Sequence, residues 1–281
     1  DYSLDTISTG VCIAFAMECF EKGLLTLDDT GGLQLSFGNG PAMVELVRRI
    51  GEREGLGDLL AEGPQRAAAK IGRGADALVL AVKGQPFPMH ECRTRHGQAL
   101  GYAVSPTGAD HMHNMWDEGL ASNTLGEDWQ SLGIYDPVPA TELSAHKVRA
   151  YVARSHWQWM RNHLSLCMFI PWTRDQLLQL VKGVTGWDTN YYELLKSAER
   201  GVTMARVFNL REGMTRDDDR LPPRVALPYV TRTLNEKPVT PDALDAALTT
   251  YYGIMGWDPQ TGEPTEGKLH ELDIAWVKDV G

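Results

Sequence analysis

Residues 11–22, VCIAFAMECFEK, decide the fold class of this sequence. They are apolar almost all round and contain neither glycine nor proline, which is typical of a helix that is buried on every side. Gly23 follows the last charged turn, where glycine commonly ends a helix. Cys12 and Cys19 lie seven residues apart on one face, so we interpret both as core residues. A helix of this kind needs other elements to cover it.

Helical patterns recur along the chain on the C-terminal side of this stretch. Met43, Leu46, Val47 and Ile50 follow Pro41 at helical spacing. Strand-like character is limited to residues 77–82, ALVLAV, and residues 91–139 are predicted to be rich in loops. The predicted helices after residue 22 cover 41–53, 58–71, 141–163, a segment opened by the capping box of Thr173 and Gln176, 190–205, and a segment that begins at Thr240 and Pro241.

The pattern therefore predicts an all-α, multihelical fold with two helical domains and only short strands. The glycine- and proline-bearing stretch KGQPFPMH follows residue 82 and marks the predicted boundary. We assign residues 1–81 to a helical middle domain and residues 82–281 to a helical C-terminal domain. The chain starts at DYSLDTISTG without an initiating methionine, so we expect further chain upstream of it.

Composition excludes several classes of protein. The 281 residues carry a formal net charge of −10, which argues against a nucleic-acid or anionic membrane surface. No apolar run reaches the roughly 18–20 residues that span a membrane, and no targeting segment is visible. The four cysteines form no C-x-x-C pair, which fits a reducing cytoplasm.

A histidine-rich tract covers residues 88–114, PMHECRTRHGQALGYAVSPTGADHMHN. Imidazole titrates near neutrality and serves as a proton donor or acceptor, while arginine forks suit phosphate or carboxylate. A solvated polar loop is the bland interpretation, but the glycines and aromatic context favour a site. The tract contains half of the eight histidines together with charged neighbours: His90, His96, His111, His113, Glu91, Arg93, Arg95 and Asp110.

Two shorter polar stretches leave alternatives open. In SLDTIS, Asp5 either caps the following helix or accepts from the N–H groups of a buried heterocycle. In RNHLSLCMF, Cys167 is a core residue, a nucleophile paired with His163, or one ligand of a metal site whose other ligands lie elsewhere.

The order of these segments resembles the aldehyde:ferredoxin oxidoreductase family of tungsten enzymes. SLDTISTG, the GADH loop and NHLSLC are followed by FNLREGMTRDDDRLPPR and finally by YYGIMGWD and GEPTEGKL. The resemblance covers essentially the whole chain and implies the two helical C-terminal domains of such an enzyme.

In that family two copies of a D-x-x-G-L-(C/D) motif hold the two pterins that chelate the metal. Ser3, Leu4 and Asp5 match the end of the first copy, and Thr6 beside them is a further cofactor-binding residue. The resemblance thus makes Asp5 an acceptor for pterin N–H groups. The first position of this motif copy would precede Asp1.

The second copy of the motif is NHLSLC. Asn162 stands for the acid, Ser165 for the glycine, and Leu166 and Cys167 complete the match. The resemblance makes Asn162, Ser165 and Leu166 cofactor-binding and Cys167 the fourth ligand of a [4Fe–4S] cluster, whose other three cysteines would lie upstream. The asparagine retains a carbonyl acceptor for pterin but lacks the charge of the family's acid.

The resemblance also assigns the chemistry. His111 in GADH matches the catalytic histidine, and His113 stands where a lysine often contacts the cofactor phosphates. Glu91 is our own inference for a carboxylate in the same pocket. The implied cofactors are a tungsten or molybdenum bis-pterin, a [4Fe–4S] cluster and, as a further candidate, magnesium bridging the pterin phosphates.

The function implied is oxidation of a small aldehyde to a carboxylic acid, with electrons passed through the cluster to ferredoxin or an electron-transfer subunit. A missing N-terminal pterin-binding domain is an implied partner, and a homo-oligomer is a further expectation. One alternative is an aryl-CoA reductase subunit of benzoyl-CoA type. The other is a non-catalytic helical fragment, which the intact mass of the natural protein would identify.

Overall fold

The computed structural model describes residues 2–228 and 237–279, in which helices make up nearly all of the regular structure. The predicted all-α, multihelical class is confirmed. Asp1 and Gly281, the outer ends of the predicted domains, lie outside the described residues. The α-helices are α1 Thr6–Glu21, α2 Gly40–Glu52, α3 Leu56–Leu60, α4 Pro64–Ile71, α5 His96–Val104, α6 Asp117–Leu120, α7 Glu127–Gln130, α8 Ala145–His163, α9 Arg174–Thr185, α10 Tyr191–Arg211, α11 Pro241–Met255 and α12 Glu266–Glu271.

Short 3₁₀ turns and one hairpin complete the described structure. Strands β1 Ala81–Val82 and β2 Gln85–Pro86 pair antiparallel. The 3₁₀ turns cover Ala75–Leu78, Cys92–Thr94, Arg216–Asp218, Pro223–Ala226 and Ala275–Lys278. No helix within the described ranges is both long and apolar enough to cross a bilayer.

Helix α1 begins earlier than its apolar stretch because a polar residue caps it. The Asp5 carboxylate accepts a hydrogen bond of 2.5 Å from the Ser8 N–H, which satisfies one of the unpaired donors at the helix start. Cys12 and Cys19 are buried in this helix, so their interpretation as core residues is confirmed.

Several predicted boundaries were wrong for local backbone reasons. Residues 58–71 form two helices because Gly63, at φ +87°, and Pro64 interrupt the segment. The strand predicted at 77–82 shrinks to β1, since a 3₁₀ turn covers residues 77 and 78 and residues 79 and 80 belong to no regular element. Helix α8 begins after residue 141 because the Ser144 hydroxyl caps it, and α10 runs past residue 205 to Arg211. The capping box at Thr173 is confirmed.

The largest error concerns α5, which lies inside the tract predicted to be rich in loops. All nine of its residues are buried, so it lacks the polar face that makes a helix visible in a sequence. Its first turn is held by Asp117, whose carboxylate accepts the N–H groups of Gly97 and Gln98, each at 3.0 Å. Asp117 in turn pairs with Lys147 of α8 at 2.5 Å, and both side chains are fully buried.

Helix α8 lies at the centre of the C-terminal part, where it contacts α5, α10 and α11. The buried residues of a separate hydrophobic cluster all lie between Cys12 and Ala75. Arg224 reaches this N-terminal part by pairing with Glu18 at 2.9 Å and donating to the Leu78 carbonyl at 3.0 Å. The domain boundary after residue 81 stays a prediction.

The stretch RDDDRLPPR contains a residue with a structural role. Asp219 is almost fully buried and pairs with Lys83 of the hairpin at 2.6 Å and with Arg206 of α10 at 2.9 Å. The Tyr252 hydroxyl of α11 also donates to it. One carboxylate therefore ties the hairpin that precedes the histidine-rich tract to two long helices.

Candidate functional site

Two histidines and a tryptophan of the histidine-rich tract and its flank form an aromatic cluster. The rings of His90 and His111 lie 4.6 Å apart, and both stand edge-on to Trp116, at 4.9 Å and 6.2 Å. All three side chains are partly buried. The fold thus leaves His111 partly exposed and in contact with two other aromatic rings.

Arg95 fixes the protonation of His90. Its guanidinium lies 3.2 Å from the Nδ1 atom of His90 and 5.4 Å from the Trp116 ring, and its Nε donates to Glu118. A guanidinium only donates, so Nδ1 is the acceptor and the neutral ring carries its proton on Nε2.

The local environment keeps both histidines neutral at pH 7. Burial lowers the pKa of His111 below the ordinary histidine value, although the charge of Asp110 acts in the opposite direction. Burial also lowers the pKa of His90, and the charges of His111 and Arg95 lower it further. A neutral imidazole can accept a proton, which is what a general base requires.

Glu91 is held by its neighbour. Its carboxylate accepts from the backbone N–H of Arg93 at 3.0 Å and from the Nε and NH2 atoms of Arg93 at 2.9 Å and 2.7 Å. Burial raises the pKa of Glu91, but the hydrogen bonds and charge of Arg93 outweigh this, so the pKa falls. The group is ionised and oriented by Arg93, and its catalytic role stays a prediction.

His113 is a buried residue of the loop that carries His111. Its Nε2 atom lies 2.9 Å from the Ser105 hydroxyl, and its Nδ1 atom lies 3.5 Å from the Asp110 carboxylate. Its ring packs at 4.2 Å against Trp159 of α8. Both ring nitrogens therefore have protein partners, and contact with cofactor phosphates stays a prediction.

The first predicted cofactor segment is an exposed turn that leads into α1. Ser3 has φ +56°, a left-handed conformation that favours glycine, and Leu4 packs partly against the N-terminal core. Hydrogen bonds from the Ser8 backbone lower the pKa of Asp5, so its carboxylate is ionised at neutral pH. Asp5 and Thr6 are both exposed and available to a ligand.

The second predicted cofactor segment is the turn that ends α8. Ser165 has φ +55°, its N–H donates to the Asn162 carbonyl at 2.9 Å, and the Leu166 N–H donates to the Arg161 carbonyl at 3.0 Å. This pair of bonds is a Schellman motif, in which the left-handed position is usually glycine. Both motif copies thus place a serine in the left-handed conformation at the position where the family pattern has glycine.

Arg161 positions the residues after this turn. Its NH2 atom donates to the carbonyls of Cys167 and Ile170, at 3.1 Å and 3.0 Å. Cys167 is exposed, whereas the other three cysteines are buried. Within the described chain Cys167 is therefore not a core residue, and its thiol is accessible to a ligand.

We expect Ser165→Gly to stabilise the full-length protein by about 0.5–1 kcal/mol, because glycine reaches the left-handed region without a steric cost. The matched control is Ser131→Gly, since Ser131 has φ −68° in the right-handed region. That control should give no stabilisation. Thermal unfolding of the two variants measures the difference, and equal shifts would contradict the backbone explanation.

The structure brings the loop that carries His111 and the turn that carries Cys167 close together. Among the described residues it shows no such contact for the turn that carries Asp5. The ring of His113 packs on Trp159, whose ring lies 5.6 Å from His163, one residue after Asn162. The histidine loop therefore packs against α8 next to the turn that carries Cys167. Within the described ranges, no hydrogen bond or ring contact joins Asp5 to either, and their convergence around one pocket stays a prediction.

The exposed residues at the two turns fit a pterin-bound metal. Asp5 offers an ionised acceptor, the amide of exposed Asn162 makes no side-chain hydrogen bond with other described residues, and Cys167 offers a free thiol. Tight turns without bulky side chains also let a large heterocycle approach the backbone. Among the described residues no group of three or more His, Cys, Asp or Glu side chains is arranged to hold a metal ion.

Sequence reasoning did not single out two members of the aromatic cluster. His90 was only one of four histidines in the tract, and Trp116 lies just beyond the end of it. The signal that could have found them is an aromatic residue close to a histidine-rich stretch with an arginine. Their role becomes visible only when α5 folds back and places residue 90 beside residue 111.

The pattern of the aldehyde ferredoxin oxidoreductase family, domains 2 and 3, matches residues 1–274. The chain belongs to this family. It is 31% identical over 280 residues to the tungsten-containing aldehyde ferredoxin oxidoreductase of Pyrococcus horikoshii, which covers 98% of this chain and 44% of that protein. It is likewise 31% identical over 281 residues to the enzyme of the same name from Pyrococcus furiosus, with the same coverage. The chain thus spans under half the length of these relatives.

Other similarities are more distant. The aliphatic sulfonate oxidoreductase, WOR-like subunit, of Pyrococcus furiosus is 28% identical over 291 residues, which is 99% of this chain and 42% of that protein. Among solved structures, the active-site complex BamBC of benzoyl coenzyme A reductase with 1,5-dienoyl-CoA superposes with a TM-score of 0.72 at 23% identity, over 98% of this chain and 45% of that one. This likeness establishes the shared fold. The chain is therefore part of a tungsten oxidoreductase family whose cofactor is a tungstopterin.

Proposed function

We propose that the full-length protein containing this chain oxidises aldehydes to carboxylic acids and passes the electrons through a [4Fe–4S] cluster to ferredoxin, in the cytoplasm. The observation that carries the proposal is the partly buried His111, whose ring lies 4.6 Å from that of His90 at a tilt of 46° and whose pKa is lowered by burial. Relatives named as aldehyde ferredoxin oxidoreductases across 98% of the chain support the same activity.

The reaction removes two electrons and two protons from an aldehyde and one water to give the acid. When bound, the tungsten cofactor supplies the two-electron acceptor. His111 accepts one proton from the attacking water or from the aldehyde hydrate and releases it to solvent, while the second proton is the former C–H hydrogen of the aldehyde, which leaves as the electron pair of that bond is removed. Trp116 and His90 shield the base on two sides, which keeps its pKa low enough for this task.

The cofactor would be held by the two turns that contain Ser3 and Ser165, called here the two serine turns. Asp5 and Thr6 serve one pterin, and Asn162, Ser165 and Leu166 serve the other. Asp5 accepts N–H groups as a charged acceptor, whereas Asn162 accepts through a neutral carbonyl and so binds more weakly. His113 and a magnesium ion at the pterin phosphates complete the proposed set.

Cys167 would be the cluster ligand that this chain supplies. A [4Fe–4S] cluster takes four thiolates, so three must come from chain outside this sequence range. The carbonyl contacts from Arg161 fix the turn that presents the thiol. Electrons would leave one at a time by this route to ferredoxin.

The alternative chemistry, a low-potential reduction of an aryl-CoA substrate, is less well supported by the residues. In that branch of the family a cysteine ligates tungsten, whereas the first motif here ends in Asp5. The next cysteine, Cys12, is buried in α1, and burial raises its pKa to about 11. A buried, protonated thiol is a poor metal ligand.

A dye assay on the tungsten-loaded full-length protein separates these activities. We expect benzaldehyde to reduce benzyl viologen, and we expect no oxidation of reduced viologen with benzoyl-CoA. Cys167→Ser should remove most dye reduction and most of the iron, while the cysteine control Cys12→Ala retains both. If the protein turned over benzoyl-CoA and no aldehyde, the reductase function would take the place of the proposed aldehyde oxidation. Full iron content in the Cys167→Ser variant would show that Cys167 is not a cluster ligand.

A further inference from the structure

A cleft of about 640 Å³ lies beside the Cys167 turn, and its lining includes three arginines that are at least partly buried and three exposed acidic residues, Glu127, Asp128 and Asp175. This volume is within the range of small-molecule sites. None of the predicted catalytic residues lines the cleft. Its walls combine three guanidinium groups with three aromatic rings: Arg154, Arg161, Arg174, Trp157, Trp172 and Tyr191.

Arg154 has almost no compensation for its charge. Its side chain is 21% exposed, and it donates no hydrogen bond within the described ranges. It stands over the Trp129 ring at 5.4 Å, and the nearest carboxylate oxygen, on Asp128, is 3.9 Å away. A largely buried guanidinium without hydrogen bonds is costly unless a ligand completes it.

Two further donors in the cleft walls are also incomplete. Arg161 is 8% exposed, and its Nε atom has no hydrogen-bond partner among the described residues. Its other nitrogens reach only neutral oxygens, those of Gln158, Cys167 and Ile170. The Nε1 atom of Trp172 is likewise buried without a partner there.

The carboxylate of Asp128 occupies the cleft only loosely. It is 70% exposed and lies 3.9 Å from Arg154 and 3.8 Å from Arg174, beyond hydrogen-bond distance of both. In the described part of the chain it is the only carboxylate within 4.0 Å of the three guanidinium groups. Exposed pairs at such distances contribute little, so an incoming anion can displace it.

We propose that this cleft binds a small ligand that carries a carboxylate or phosphate on a planar ring. The anionic group would accept hydrogen bonds from the guanidinium groups of Arg154 and Arg161. The ring of the ligand would lie against Trp157 and Tyr191, whose own rings are 5.6 Å apart. Arginine suits both kinds of anion because its fork of N–H groups donates two parallel bonds.

Titration calorimetry on the full-length protein, with 1-naphthoate and AMP as separate probes, tests the proposal. We expect at least one probe to bind with a Kd below about 1 mM. Tighter binding of 1-naphthoate identifies a carboxylate site, and tighter binding of AMP identifies a phosphate site. Arg154→Gln should raise the Kd at least about tenfold.

Two further variants make the test independent of folding defects. Asp128→Asn removes the competing exposed carboxylate and should lower the Kd about two- to fivefold. Arg66→Gln is the matched control, because Arg66 is 74% exposed on α4, and its Kd should equal that of the wild type. Absence of binding of both probes overturns the proposal, as does binding that Arg154→Gln and Asp128→Asn leave unchanged.

Discussion

His111→Asn lowers the turnover of an aldehyde by the full-length enzyme about 10²- to 10⁴-fold and leaves its tungsten content unchanged. Asparagine keeps a polar side chain of similar size in the aromatic cluster but cannot accept a proton near neutral pH. Steady-state rates with benzaldehyde and a viologen dye, together with elemental analysis of the same samples, measure both quantities.

His270→Asn is the matched control for this variant, because His270 is 68% exposed on α12 and should not affect the rate. The pH profile gives a second readout. A base acts when unprotonated, and the pKa of His111 lies below its ordinary value, so wild-type activity should persist below about pH 6.5 before it falls. A tungsten-replete His111→Asn enzyme with normal turnover would remove His111 from the reaction.

Lys147→Met lowers the free energy of unfolding by about 3–5 kcal/mol. The change leaves the carboxylate of Asp117 buried without its counter-charge, since both side chains are fully buried in the wild type. Asp117 also holds the first turn of α5, so the loss should loosen the helix that returns the chain toward the histidine cluster. Urea-induced unfolding of the full-length protein, followed by tryptophan fluorescence, measures the effect.

An exposed ion pair provides the control for Lys147→Met. Lys182 pairs with Asp188 at 3.1 Å on the surface, and Lys182→Met should cost no more than about 1 kcal/mol. The double variant Lys147→Met/Asp117→Asn should recover part of the lost stability, because asparagine is neutral and still accepts from α5. Equal effects of the two lysine substitutions would show that the buried pair contributes nothing special.

Local signals predicted much of the fold. The apolar periodicity of α2 and α11 and the capping box of α9 are properties of adjacent residues, so the sequence alone reveals them. Helix α5 was invisible because the partner that holds its start, Asp117, comes about twenty residues later, and because burial on all sides removes any amphipathic pattern. Long-range polar contacts of this kind cannot be read from spacing.

The sequence likewise revealed only some features of the candidate site. The nature of His111 and Cys167 as chemically capable residues was visible in the sequence, and the resemblance gave each a role. The sequence did not show that the Glu91 carboxylate is hydrogen-bonded by Arg93 or that the His113 ring packs against Trp159. Both outcomes depend on side-chain neighbours that only folding brings together.

The two serine turns are secured by different means, and this predicts unequal tolerance to change. Ser3 leads directly into a long helix, so the regular backbone of α1 keeps Asp5 in place. Beyond Ser165 the chain is irregular up to Arg174, and it is restrained by the bonds from the Arg161 guanidinium together with short-range backbone bonds such as that from the Ile170 N–H to the Cys167 carbonyl. We therefore expect heating to disorder the turn that carries Cys167 before the turn that carries Asp5.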